Sequence, residues 1–301
     1  MSDASDSDAG SRHTTDSPLR RRARSFAARF RRNNLAMGGL LVTASFVLVA
    51  LLAPILAPYD PAAVDVPARL QGPSLAHPFG TDRYGRDLFS RVLFGARIAL
   101  QVAVATPLVA GAVGVPIGLI AGYRGGRVDD ALMRLMDSIF AFPAILLGLT
   151  LVAVFGQSLT NIVAALGIVF VPQFARVTRG SAVSVVEEEH VRVARSLGAS
   201  HARIVLVHVL PFCLSAILVQ ATVTGALAIV LESSLSFLGV GVPSPKPSWG
   251  GILRVGKGYV NSGEWWYSVF PGLAIVFAVL GFNLLGDGLR DVLDPRTDPN
   301  R

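Results

Sequence analysis

Residues 183–211 read VSVVEEEHVRVARSLGASHARIVLVHVLP and stand between two apolar runs. Val186, Val193, Ala194 and Leu197 recur at helical spacing, with Glu187, Glu188, Glu189, Arg192 and Arg195 mostly on other faces. Gly198 then ends that helix, and Ser200, after Ala199, is placed to cap a second one that runs through His208 and Leu210 into Pro211. A short helix, a glycine turn and another short helix therefore project from whatever the flanking runs build. The length of those runs decides what that is.

Of 301 residues, 52% are hydrophobic and 16% charged, where a soluble domain carries about 25% charge. Disorder, collagen and a disulfide scaffold are excluded for the bulk of the chain, whose one cysteine, Cys213, sits in an apolar run. The run 35–57 is too long for the h-region of a signal peptide, which spans about 7–15 residues. Five more runs, near 98–121, 137–155, 159–175, 209–231 and 268–289, approach the roughly 20 residues that cross a hydrocarbon core. The expectation is an all-α polytopic membrane protein with six transmembrane helices. Glycine and proline inside the runs (Pro107, Gly114, Pro116, Pro143, Gly167, Pro172, Pro211, Gly225, Pro271) imply close packing and kinks.

Residues 1–34 are a Ser/Asp-rich stretch, expected to be disordered, followed by a basic block. The expected order is this tail, a first helix over 35–57 and an extracytoplasmic loop over 58–97. A five-helix core over 98–289 with its loop 183–210, and a tail over 290–301, complete the chain. Most of the 27 Lys and Arg fall on the tails and on loops 122–134 and 176–208, which sets both termini in the cytoplasm. A net charge of +7 invites a nucleic-acid partner, but the arginines bunch at the ends of apolar runs and act as an orientation signal toward the lipid bilayer.

The loop 183–211 resembles the EAA loop of ABC-importer permeases, in which E-A-A is followed three residues later by Gly and nine residues after that by I-x-L-P. Arg192-Val193-Ala194, Gly198 and His208-Val209-Leu210-Pro211 occupy the matching positions. The usual glutamate is absent, and Glu187, Glu188 and Glu189 are the acidic residues nearby. Three further runs are similar to the second permease subunit of the peptide/nickel type. They are His77-Pro78-Phe79-Gly80-Thr81-Asp82-Arg83-Tyr84-Gly85-Arg86-Asp87; Glu232 to Gly239 with Pro247-Ser248-Trp249-Gly250; and Asn283 to Asp291 with Leu293-Asp294-Pro295-Arg296.

The resemblance implies a type I ABC importer permease fold in the cytoplasmic membrane of a prokaryote. It also implies a homologous permease as heterodimer partner, two ATP-binding subunits and an extracytoplasmic binding protein. Its cargo would be peptides, with nickel or a metal chelate as the alternative; a second rival is an ATP-independent secondary transporter. The loop residues would couple the bundle to the ATPase. No catalysis is expected in this chain: there is no G-x-x-x-x-G-K-[ST] loop, so ATP and Mg belong to partners, and no metal-ligand spacing is present.

On the outer side Gly80, Thr81, Asp82, Gly85, Arg86 and Asp87, with Pro247 and Trp249, form either a gate or binding-protein docking surface, or a local ion-pair network that orders the loop. Trp265 and Trp266 are expected as interface anchors. Gln101, Gln157, Gln173, Gln220 and Asn283 are candidates for hydrogen bonds between helices. Asp137 and Glu232 fall at expected span ends, within reach of water.

Overall fold

A computed structural model describes residues 33–293. The N-terminal tail up to residue 32 and the last residues of the C-terminal tail lie outside that range.

Helix α1 (Asn34–Leu56) is capped by Asn33, whose Oδ1 accepts from the Ala36 amide at 3.0 Å. It is apolar all round. Leu41 is 68% and Ile55 79% exposed, an outward hydrophobic surface of the kind that faces lipid. Helix α2 (Leu88–Arg124) is capped by Asp87, so it begins within the stretch expected as loop 58–97. Arg91 and Arg97 interrupt the apolar run and hid this start, but Arg91 is buried at 7% exposure.

The expected single span over 137–155 is corrected. Helices α3 (Gly126–Phe140) and α4 (Ala144–Phe155) meet at a bend of 83°. Pro143 stands just before α4 and disfavours a helical conformation in the preceding residue, which ends α3. Helix α5 (Leu159–Val186) continues well past residue 175. Next come α6 (Glu189–Ser196), one turn at His201–Arg203, a π-helical stretch Ile204–Val209, and α7 (Leu210–Leu238). The last three run on as one apolar helix, His201–Leu238. Helix α8 (Trp249–Gly256) and helix α9 (Trp266–Leu293) complete the order. Among the described residues five helices are long and apolar enough to cross a membrane, and the bent pair makes a sixth when taken together.

Helices α2 and α5 pack backbone to backbone. A β-carbon at Gly114 would sit 2.6 Å from the Val171 carbonyl oxygen, and one at Gly122 would sit 2.8 Å from the Ala182 β-carbon. Glycines four apart on α2 permit this approach, which supplies the dispersion contact that holds helices together where lipid removes the hydrophobic driving force. Phe170 and Phe174 of α5 fill the core beside them with Leu166, Val102 and Leu235. The α1–α9 seam uses the same device, since a β-carbon at Gly281 would meet Val42 at 2.9 Å.

Candidate functional site

Helix α7 carries a candidate site at each end. At its N-terminal end α5 stops at Val186, Glu187 and Glu188 turn the chain, and α6 follows. Val191 packs into a cluster with Val185, Ile204, Val209 and Cys213, and Ala194 is buried beside it in sequence. This corrects the expected apolar face, because the break at Glu187 and Glu188 resets the helical phase. Val193 and Leu197 point outward, Leu197 at 82% exposure.

Gly198 closes α6 with φ +79°; its amide donates to the Arg195 carbonyl and the Ala199 amide to the Ala194 carbonyl, each at 3.1 Å. That pair of bonds needs a left-handed residue at Gly198. Ser200 accepts from the Arg203 amide at 3.4 Å. The π-helical stretch has a local cause: Pro211 brings no amide to the carbonyl four residues back, and the Leu210 amide bonds five back to Val205.

Two contacts tie this element to the helices beside it, and one holds it together internally. Tyr123, at the end of α2, shares a 2.6 Å hydrogen bond with His201. His190 Nδ1 lies 3.1 Å from Glu188, and its Nε2 bonds the His208 carbonyl at 3.2 Å. Exposed on its free side are Glu187, Glu188, Glu189, Arg192, Val193, Arg195 and Leu197, while Ala199, His208 and Leu210 are half-buried and Pro211 is exposed. The loop residues singled out in the sequence are therefore brought together in one compact projection.

The expected outer-face residues also converge, but inward. Asp82 is fully buried and accepts from the Tyr84 amide at 2.7 Å, the Arg86 amide at 3.0 Å and Arg86 Nε at 2.6 Å, with Arg91 Nε 3.7 Å away. Asp87 caps α2 through the Ser90 amide and holds His77 at 2.9 Å. The Thr81 hydroxyl donates to the Ala68 carbonyl and accepts from the Gln71 amide. Gly80 and Gly85 adopt φ of +73° and +77°, and a β-carbon at Gly80 would strike Trp266 at 2.7 Å. Pro247 is buried. Trp249 is 3% exposed and donates from Nε1 to the Val92 carbonyl at 2.9 Å. These residues order the loop; beside them Tyr84, 43% exposed, faces outward. Trp266 accordingly packs on the loop rather than anchoring, while Trp265 is half-exposed.

Within the bundle Gln220 of α7 donates to Gln173 of α5 at 3.1 Å, and Gln157 donates to the Gly239 carbonyl at 3.3 Å. Glu232 is a correction. It is 1% exposed, lies inside an α7 that runs on to Leu238, and accepts from Ser236 at 2.7 Å. Two pairs between α3 and α5, Asp129–Arg179 and Asp137–Arg176, were missed, since nothing in the sequence pairs residues so far apart. Among the described residues no three His, Cys, Asp or Glu gather to hold a metal ion.

Residues 114–299 match the model for the binding-protein-dependent transport system inner membrane component, and residues 21–73 match that for the N-terminal TM domain of oligopeptide transport permease C. The chain is 44% identical to a dipeptide transport system permease protein of Alkalihalophilus pseudofirmus over 88% of this chain and 87% of that one. It is 40% identical to a di/tripeptide transport system permease protein of Pseudomonas aeruginosa over 93% of each. A glutathione transport system permease protein of Escherichia coli is 43% identical over 90% of this chain and 89% of the relative.

Proposed function

The chain belongs to the binding-protein-dependent transport system inner membrane components, a family of multi-pass permease subunits, and from that premise we propose that it is the second permease subunit of an ABC importer for peptides. ATP hydrolysis takes place in two partner subunits and an extracytoplasmic binding protein presents the solute, while a homologous permease completes the pathway. Both termini face the cytoplasm, as the placement of basic residues favours. Peptide cargo is favoured because relatives covering most of the chain are named for dipeptides and di/tripeptides.

The observation that carries the coupling role is the projection at the root of α7. On its buried side Val191 packs with residues of α5 and α7, and its free side presents Val193 and Leu197 one helical turn apart between charges. An apolar pair ringed by charge is the composition of a docking surface. Movement of an ATPase groove against it reaches α7 through the short Gly198 turn and the Val191 packing, so nucleotide and solute bias one two-state bundle.

The test is ATP turnover of the reconstituted complex in lipid, with and without peptide-loaded binding protein. Stimulation that disappears in Leu197→Asp and Val193→Asp variants, with the complex still inserted, is the expected result. Full stimulation in both variants removes the coupling role, and failure to co-purify with any ATPase removes the importer reading.

A further inference from the structure

The far end of α7 opens into a cavity of about 820 Å³ whose lining carries Arg83, Arg86, Arg91, Lys246, Arg254 and Lys257 and no acidic residue. The six cations come from four separate stretches: the ordered loop, the first turn of α2, the Pro-rich turn after α7, and α8 with its C-terminal cap. Asp82 sits behind the lining and is already shared by Arg86 and Arg91. Among the described residues Arg83, Lys246, Arg254 and Lys257 form no ion pair, and the buried Arg83 Nε has no hydrogen-bond partner. Glu232 is turned away, its carboxylate bonded to Ser236, which with Ser248 makes part of the cavity wall.

Arg254 is exposed on α8 but close to the end of α7. Its guanidinium lies over Gly239, where a β-carbon would fall 2.6 Å from Cζ, at the C-terminal end of α7. The carbonyl end of a helix favours a cation there. That interaction accounts for one charge of the six and leaves an excess of positive charge in a concave, protein-walled space. Such walls focus the field and raise the local concentration of anions.

Resting on the importer reading above, we infer that this cavity is a carboxylate site for the transported solute, which takes the C-terminal carboxylate of a peptide at the outer mouth of the pathway. Its volume falls within the roughly 300–1,000 Å³ typical of small-molecule sites, which suits a short peptide. The same charges repel a peptide's free amino group, so the carboxylate enters first. Arginine forks on Arg83 and Arg254 supply paired donors to a carboxylate, and Lys257 and Lys246 supply point charge.

The experiment uses the assembled complex in neutral-lipid nanodiscs, without binding protein or nucleotide, titrated with tri-alanine, N-acetyl-tri-alanine and tri-alanine amide. Both free acids are expected to bind, and the amide about tenfold more weakly, the effect of losing a charge-assisted contact. Arg254→Gln with Lys257→Gln should weaken the acids about tenfold and erase their difference from the amide. Lys246→Gln, at an exposed loop position, gives a smaller shift of the same sign and controls for misfolding of the double variant.

Equal binding of acid and amide, absence of binding to the unmutated complex, or variants that bind as tightly as the parent would overturn the inference. So would exclusion of tri-alanine by phosphatidylglycerol in the disc, which would assign the cavity to a lipid phosphate. Failure of the importer reading shows separately, as unmutated complex whose ATP turnover does not respond to loaded binding protein.

Discussion

Gly114 of α2 faces the carbonyl of Val171 on α5 so closely that a β-carbon would stand 2.6 Å from the oxygen. One turn further along, a β-carbon at Gly118 would meet the Thr178 β-carbon at 2.7 Å. Gly118→Val is therefore expected to force the two helices apart at a cost of about 1–3 kcal/mol. Thermal unfolding in detergent should show a lowered midpoint. Gly180→Ala, inside α5 where nothing lies within 4 Å, should not lower it and should raise it slightly, since alanine favours a helix interior over glycine.

Nothing lies within 4 Å of the point where a β-carbon on residue 198 would stand, so a side chain replacing Gly198 meets no clash. The penalty is conformational, about 1–2 kcal/mol for holding an L-residue at φ +79°. Gly198→Val should reduce ATPase stimulation by loaded binding protein, and Gly198→Asn, which tolerates this region, should restore most of it. Equal loss in both would mean that backbone conformation is not the reason.

The 2.6 Å bond between Tyr123 and His201 joins the end of α2 to the foot of α7. Tyr123→Phe should cost about 1 kcal/mol of local stability. Faster amide exchange confined to residues 189–203, with the rest of the bundle unchanged, is the expected signature.

Asp82 and Asp137 each pair with arginine at 2.6 Å, yet their settings differ. Asp82 is fully buried, so Asp82→Asn leaves Arg86 and Arg91 without their anion at a cost of about 3–5 kcal/mol. Asp137→Asn breaks an exposed pair worth about 0–1 kcal/mol. The first variant should fail to accumulate in membranes, and the second should accumulate normally.

The spans were legible because lipid demands long apolar runs, and the projection at α6 was legible because charges interrupt two of them. The 83° bend was not, since a proline such as Pro143 is tolerated in many membrane helices. The facing of α6 was misphased because two residues, Glu187 and Glu188, interrupt the helix without a glycine or proline to mark the break. Glu232 was placed near water because its second layer of partners, Ser248 behind Ser236, comes from beyond a loop. The cationic cavity could not be read at all: Arg83, Lys246 and Arg254 become neighbours only once α7 and α8 have packed.

The continuous helix His201–Leu238 has 38 residues, a rod about 57 Å long at 1.5 Å per residue. A pivot of about 5° at its middle would carry each tip about 2.5 Å in opposite directions. The tips are the Tyr123–His201 bond and the seat of Arg254 on Gly239, so a pivot that swings one tip sideways swings the other the opposite way. The π-helical turn is the one change of pitch along the described rod, and it lies beside the lower tip. From Leu210 to Leu238 the rod is unbroken α-helix, so a swing that enters above the π-helical turn arrives at Gly239, under the Arg254 guanidinium, undiminished.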